Sequence, residues 1–162
     1  MSIPRSRALF VAAAILIIGG GGVWYWRMFT PASSEMVTDG QPRLPTTTLT
    51  VNGYVFTVEL ARSPEEQRQG LSFRAPLQPD EGMLFVYDVP QEQQFWMFGM
   101  TFPLDMVFLR DQKVVYIAEN VPPPTGIAPP AIVRSPADAD MVLELSAGTA
   151  ERIGMDIGTE IL

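Results

Sequence analysis

An uninterrupted apolar run near the N-terminus constrains this chain more than any other feature. Residues 8–26 contain no charged side chain, Arg5 and Arg7 precede them, and Arg27 follows. At about 1.5 Å per residue, a helix of this length is roughly 29 Å long, close to the thickness of the hydrocarbon core of a bilayer. The sequence therefore predicts one transmembrane helix over residues 8–27.

The residues around this helix predict its orientation. Basic side chains are more numerous before the helix than after it, so residues 1–7 are expected in the cytoplasm and the C-terminal domain outside, in a periplasmic or extracellular space. A cleaved signal peptide is the alternative, but its apolar region would be shorter and would end in small residues rather than in Trp24, Tyr25 and Trp26. We expect a single-pass protein of the cytoplasmic membrane.

The charge of the outer part excludes one class of partner. The chain has 11 basic and 18 acidic residues. Three of the basic residues flank the apolar run and every acidic residue follows it, which leaves eight against 18 and a net charge of −10 outside. Because such a domain is repelled by phosphate backbones, we expect no nucleic-acid partner.

The chain contains no cysteine and no histidine. It therefore has no disulfide, no thiol nucleophile, no Ser-His-Asp triad and no histidine-ligated zinc. We expect no metal and no cofactor. Any chemistry would have to come from carboxylates, arginine, tyrosine, methionine or the single Lys113.

The outer part divides into a linker over residues 28–45, polar and interrupted by prolines, and a domain over residues 46–162. Asn52-Gly53 between two alternating segments predicts a β-hairpin. Ser63, Pro64 and Glu66 have the spacing of a capping box, so a short helix is predicted up to Gly70.

Further short strands are predicted over residues 83–87, 94–98, 104–109, 114–118, 142–145 and 158–162, with a second short helix after Ser146. Residues 120–140 contain six prolines and lack alternation, which predicts a long loop. The fold class predicted is mainly β, a compact sandwich or barrel with two short helices, preceded by the transmembrane helix.

Three carboxylates lie in predicted strands. Asp105 stands between Leu104 and Met106 in an apolar segment, where burial would cost several kcal/mol unless the charge is paired. It is either a ligand-binding or general-base carboxylate, a paired or capping aspartate, or a residue at a strand edge open to water. Glu59 and Glu144 are either solvated or, across a cleft, a pair able to hydrolyse glycosidic bonds.

The order of several motifs resembles a known family. These motifs are VELARSPEEQRQGLSFRAPLQPDEGMLFVY, FWM, PLDMVFL and VLELSAG…GMDIG, and the resemblance covers residues 49–162. They are similar to the uncharacterised domain-of-unknown-function 192 family. The resemblance implies a compact, mostly β domain, often exported behind a signal or anchor, and implies no established activity.

The resemblance also implies candidate site residues. Where the family usually has a Lys-Asn-Thr-like polar run after Trp-Met, this chain has Phe98, Gly99 and Met100. Among the matching positions, those expected to line a shared pocket and bind ligand are Arg74, Trp96, Met97 and Asp105.

Three functions are compatible with these observations. The first is a non-catalytic binding module, held at the membrane by its helix, for a small ligand or an envelope protein. The second is a carboxylate-based hydrolase of glycans that uses two of Glu59, Asp105 and Glu144. The third is a structural or assembly factor of the cell envelope, which a large exposed apolar patch would favour.

Overall fold

The computed structural model describes residues 42–162. The predicted transmembrane helix over residues 8–27 and most of the predicted linker lie outside the described residues. Within the described part, no helix combines the length and the apolar character needed to cross a membrane.

Residues 42–162 form six strands and two short helices, which confirms the prediction of a mainly β domain. The strands are β1 (Thr46–Val51), β2 (Tyr54–Ala61), β3 (Glu81–Trp96), β4 (Leu104–Arg110), β5 (Lys113–Val121) and β6 (Ile132–Ser146), and the helices are α1 (Pro64–Gln69) and α2 (Thr149–Arg152). They pair in the order β1-β2-β3-β6-β4-β5, so the domain has one sheet rather than two stacked sheets. All neighbours are antiparallel except β2 and β3, which α1 connects as a parallel pair.

The C-terminal residues join the two edges of this sheet. Leu162 exchanges two backbone hydrogen bonds with Thr50 of β1, at 2.7 and 3.1 Å. Thr159 accepts from the N–H of Val114 in β5 at 2.9 Å, and Ile161 donates to the carbonyl of Gln112 at 2.9 Å. The predicted last strand is thus a short bridging segment, with a single bridge from Glu160 to Lys113.

Both faces of the sheet are buried, because successive residues of the central strands alternate between two apolar cores. In β4, Met106 and Phe108 belong to the first core, whereas Val107 and Leu109 belong to the second. The first core is covered by residues that follow α1 and β3, including Leu71, Met97, Met100 and Phe102. The second core is completed by α2 and the C-terminal segment through Ala150, Ile153, Met155 and Ile161.

Two predicted boundaries are wrong in the middle of the domain. The segments predicted over residues 83–87 and 94–98 are one strand, β3, which ends at Trp96, and the predicted loop over residues 120–140 contains the first half of β6. The second half of β3 pairs with the first half of β6. The register of this pairing shifts between Val86 and Gln91 and again between Glu92 and Gln94. Proline 136 of β6 falls within the second shift, where a residue without a backbone N–H can be accommodated.

Candidate functional site

Helix α1 and the loop that follows it cover one part of the first-core face. Ser63 and Glu66 form the predicted capping box, with hydrogen bonds of 3.3 and 2.8 Å. The amide of Gln67 donates to the carbonyl of Val86 at 2.8 Å and ties the helix to β3. Beyond Gly70, the hydroxyl of Ser72 donates to the carbonyl of Phe98 at 2.8 Å, which fixes the loop against the residues after β3.

Arg74 forms a buried ion pair. Its Nη1 lies 2.6 Å from Oε1 of Glu59, and both side chains are more than nine-tenths buried. The second carboxylate oxygen of Glu59 accepts from the N–H of Leu44 at 2.7 Å. Arg74 also borders a surface cavity of about 330 Å³ next to Pro42 and Gln69. The charge of Glu59 is therefore compensated within the protein.

Asp105 is completely buried and belongs to the other side of the sheet. It pairs in register with Leu145, a residue of the second core. Its Oδ1 accepts from the N–H groups of Asn120 and Gly148 at 2.9 and 3.1 Å, and its Oδ2 accepts from the N–H of Ala150 at 2.8 Å. The aspartate thus caps the start of α2, whose own N-cap residue supplies no side-chain hydrogen bond.

Glu144 is the buried carboxylate that lacks such compensation. It occupies the first-core face in one cross-strand row with Met83 and Met106, and Met83 separates it from Glu59. Its side chain is buried, with 4% of the residue exposed, and no group among residues 42–162 donates a hydrogen bond to it. Burial raises the pKa of Glu144 to about 8. Burial, together with the charge of Glu144, also raises the pKa of Tyr87.

Three exposed aromatic side chains contact one another near the end of β3, and we call them the aromatic rim: Phe73, Trp96 and Phe98. Of these, Trp96 lines the same space as Glu144. The three residues are 58%, 50% and 49% exposed. The ring of Phe98 lies 5.7 Å from that of Phe73, edge to face, and 5.5 Å from that of Trp96. Such contacts stabilise a cluster by roughly 0.5–1.5 kcal/mol per pair beyond simple burial. The rim is therefore a defined apolar surface.

The backbone supports the rim in an uncommon conformation. Phe73 has φ of 63°, in the left-handed region that bulky residues rarely adopt. Its N–H donates to the carbonyl of Gly99 at 2.8 Å. A Cβ atom on Gly99 would come within 2.9 Å of the Phe73 ring, so only glycine lets the ring lie there. Strain of this kind is concentrated at functional sites.

A groove connects the rim to Glu144. Its outer part, about 280 Å³, is lined by Tyr87, Gln94, Phe95 and Trp96 together with Gln67 and Arg68 of α1. Its inner part is lined by Glu144, Ser72 and Met100 and shares Gln67, Arg68, Phe95 and Trp96 with the outer part. The inner part has only about 20 Å³ of space, enough for about one water-sized group.

The four candidate residues do not surround one cavity. Trp96 lines the groove, Arg74 borders the separate cavity beyond Gln69 and Gly70, and Asp105 faces the second core. Met97 is fully buried in the first core. Glu144 was predicted only to be solvated or to belong to a hydrolytic carboxylate pair, and Phe73 was not among the predicted site residues. No local pattern signals that Phe73 adopts a left-handed conformation or that Glu144 lacks a partner.

Replacing Asp105 with asparagine should destabilise the fold. Asparagine presents an amide nitrogen where one backbone N–H donor needs an acceptor, and it removes the charge that strengthens the other two hydrogen bonds. We expect the free energy of unfolding to fall by about 2–4 kcal/mol in denaturant titrations. The exposed Asp138→Asn serves as the control and should change it by less than about 0.5 kcal/mol. Equal stability of the two variants would contradict the capping role.

Glu144 should give stability a characteristic pH dependence. Its pKa is about 8 when folded against 4.5 as the ordinary value, so between these values the folded protein keeps a proton that the unfolded chain releases. Raising the pH through this window therefore destabilises the fold. We expect the stability of the wild type, measured relative to Glu144→Gln, to decrease steadily over this window. If the difference in stability between the wild type and Glu144→Gln does not change with pH, the pKa of Glu144 is not raised in the folded protein.

Comparisons with known proteins support a shared fold. The structure of a protein of unknown function from Novosphingobium aromaticivorans DSM 12444 is 34% identical, with a TM-score of 0.68 over 77% of this chain and 88% of that one. The structure of a Sinorhizobium meliloti 1021 protein, described as a candidate transcription regulator, is also 34% identical, with a TM-score of 0.68 over 76% of this chain and 97% of that one. Comparison with curated proteins gives no match.

The sequence also matches a family model over residues 47–162, from β1 to the C-terminal segment. The match includes the aromatic rim, the groove and all three buried carboxylates. It confirms the resemblance inferred from the order of the motifs. The chain therefore belongs to the family DUF192, described as Uncharacterized ACR.

Proposed function

We propose that residues 42–162 are a binding module whose recognition site is the groove between α1 and the end of β3. One observation carries this proposal: Trp96 of the half-exposed aromatic rim lines a groove that ends at a buried carboxyl group, Glu144, which has no hydrogen-bond or ion-pair partner among residues 42–162. Ligand sites of this kind are mostly apolar and contain a few polar groups that fix orientation. The rim supplies the apolar surface, and Glu144 supplies the polar group.

The geometry favours binding over hydrolysis by paired carboxylates. Glu59 is ion-paired with Arg74, and Met83 lies between it and Glu144. Asp105 faces the opposite core and accepts three backbone hydrogen bonds. Glu144 is therefore the only one of the three strand carboxylates that lines the groove, whereas glycoside hydrolysis ordinarily needs two facing acids.

A role in assembly of the cell envelope is the second candidate, and the same rim favours it. With Ile132, which pairs with Trp96 across β3 and β6 and is 55% exposed, the aromatic rim makes an apolar surface suited to a protein partner. A small ligand would enter the groove, whereas a protein would cover the rim. The regulatory role described for the Sinorhizobium meliloti relative has no support here, since the net charge of −10 after Arg27 opposes DNA binding.

We infer that the module works outside the cytoplasm, held to the membrane by residues 8–27. The uncharged length of this segment and the basic residues before it support the inference. Alkaline phosphatase fused after Leu162 through a flexible linker should be active and should sediment with membranes. A cytoplasmic reporter at the same position should be inactive. The reverse pattern would contradict this placement.

The binding function depends on Trp96. Full-length protein in detergent can be screened by saturation-transfer NMR against metabolites, glycans and short peptides. We expect the screen to identify ligands whose affinity falls about tenfold or more in Trp96→Ala, because the variant loses the contact between the ligand and the indole ring. Tyr54→Ala removes a similarly exposed aromatic ring beside Arg152 of α2 and should leave binding unchanged. A screen without any Trp96-dependent ligand would contradict the proposal.

A further inference from the structure

The inner end of the groove combines a carboxyl group with very little space. The carboxyl group of Glu144 is buried and unpartnered among the described residues, and the room beside it holds about one water-sized group. Ser72, Met100 and Phe95 form much of the remaining wall. A ligand atom that reaches Glu144 must therefore be small, and it must offer hydrogen bonds to the carboxyl oxygens.

Charge selects among small groups. A buried carboxylate without a partner is costly, and a cation that enters beside it removes that cost. A second anion would be repelled by the ionised carboxylate. The acidic surface adds to the preference, since the chain beyond Arg27 has a net charge of −10 and attracts cations at long range. The site is therefore complementary to a small, positively charged group.

The outer groove defines what the positive group is attached to. It is about 280 Å³ and presents the rings of Tyr87, Phe95 and Trp96. Aromatic faces attract both apolar chains and cations that approach them. The inner and outer parts share Phe95 and Trp96, so one ligand can occupy both.

We propose that this groove binds a primary ammonium group on an apolar stem, with the ammonium against Glu144 and the stem against Trp96. The inference rests on the proposed binding function and adds its ligand class. A free alkylamine and a lysine side chain both offer such an ammonium group, and the test below distinguishes these two sources. A trimethylammonium group is too large for the inner space.

Two other titratable groups face this site, Arg68 from α1 and Tyr87 from β3. The side chain of Arg68 is 68% exposed and pairs with Glu65 at 3.7 Å rather than with Glu144, so its charge is partly neutralised. The raised pKa of Tyr87 keeps its hydroxyl neutral. Neither group supplies the positive charge that Glu144 lacks.

The test measures binding to full-length protein in detergent by isothermal titration calorimetry, with n-hexylamine as the probe. Hexyltrimethylammonium, n-hexanol and hexanoate keep the stem and change the head group. We expect hexylamine to bind at least tenfold more tightly than all three. Nα-acetyl-lysine methylamide separates the two sources: equal or tighter binding assigns a lysine side chain, and weaker binding assigns a free amine.

Proton release provides a readout that a merely structural Glu144 would not give. Burial raises the pKa of Glu144 to about 8, so near neutral pH an ammonium ion that binds should ionise the carboxyl group and release a proton. The binding enthalpy should then vary with the ionisation enthalpy of the buffer. This measurement on the wild type holds even if a variant fails to fold.

Glu144→Gln should weaken hexylamine binding at least tenfold and abolish proton release. Glu119→Gln removes the same charge from an exposed site on β5 and controls for long-range attraction. Equal binding of hexylamine and hexanol, or unchanged binding in Glu144→Gln, would overturn the inference. If other ligands still depend on Trp96, only the ammonium assignment fails, whereas if none does, the proposed binding function fails too.

Discussion

A sheet buried on both faces can contain a carboxylate only where another group stabilises its charge or where it remains protonated. Three carboxylates of this domain are buried between the cores or beneath the loops: Glu59, Asp105 and Glu144. Asp105 accepts three backbone N–H groups, and Glu59 is paired with Arg74. Glu144 has neither kind of partner among the described residues. This difference, rather than the presence of acids, distinguishes the groove from the rest of the core.

The two compensated carboxylates are structural connections between segments far apart in the chain. Asp105 joins β4 to the end of β5 and to the start of α2, and Arg74 with Glu59 joins the loop after α1 to β2 and to Leu44. Each connection fixes a segment that covers one core. The loop after α1, which contributes Ser72 to the groove and carries Phe73, is therefore fixed by a buried ion pair that lies outside the groove.

Local signals were sufficient for the elements near the start of the domain. The Asn52-Gly53 turn and the capping box at Ser63 depend on neighbouring residues, and both occur as predicted. The long pairing of β3 with β6 was missed because it depends on residues more than 30 positions apart and passes through Pro136. The sequence also could not predict that Glu144 lacks a partner among the described residues, because this depends on which side chains the loop after α1 places next to its carboxyl group. Asp105 was predicted in part. A capping role was one of the stated alternatives, but the backbone N–H groups that bind it could not be identified from the sequence.

The three residues after Trp96-Met97, where the resemblance implies a polar run, have defined structural roles in this chain. Phe98 forms the centre of the aromatic rim, Gly99 gives Phe73 its space, and Met100 lines the inner groove. Relatives with polar side chains at these positions would have the same fold and a different groove entrance.

The C-terminal segment protects the edges of the sheet from pairing with another copy of the chain. An open sheet ends in two rows of unpaired backbone groups, which invite strand addition by another chain. Here one short stretch occupies part of both rows, since Leu162 bonds to β1 and residues 159–161 bond to β5 and its turn. Leu162 itself is 73% exposed, so additional residues can follow it without disturbing these bonds. Shortening the chain by four residues, in contrast, would uncover both edges together and favour aggregation.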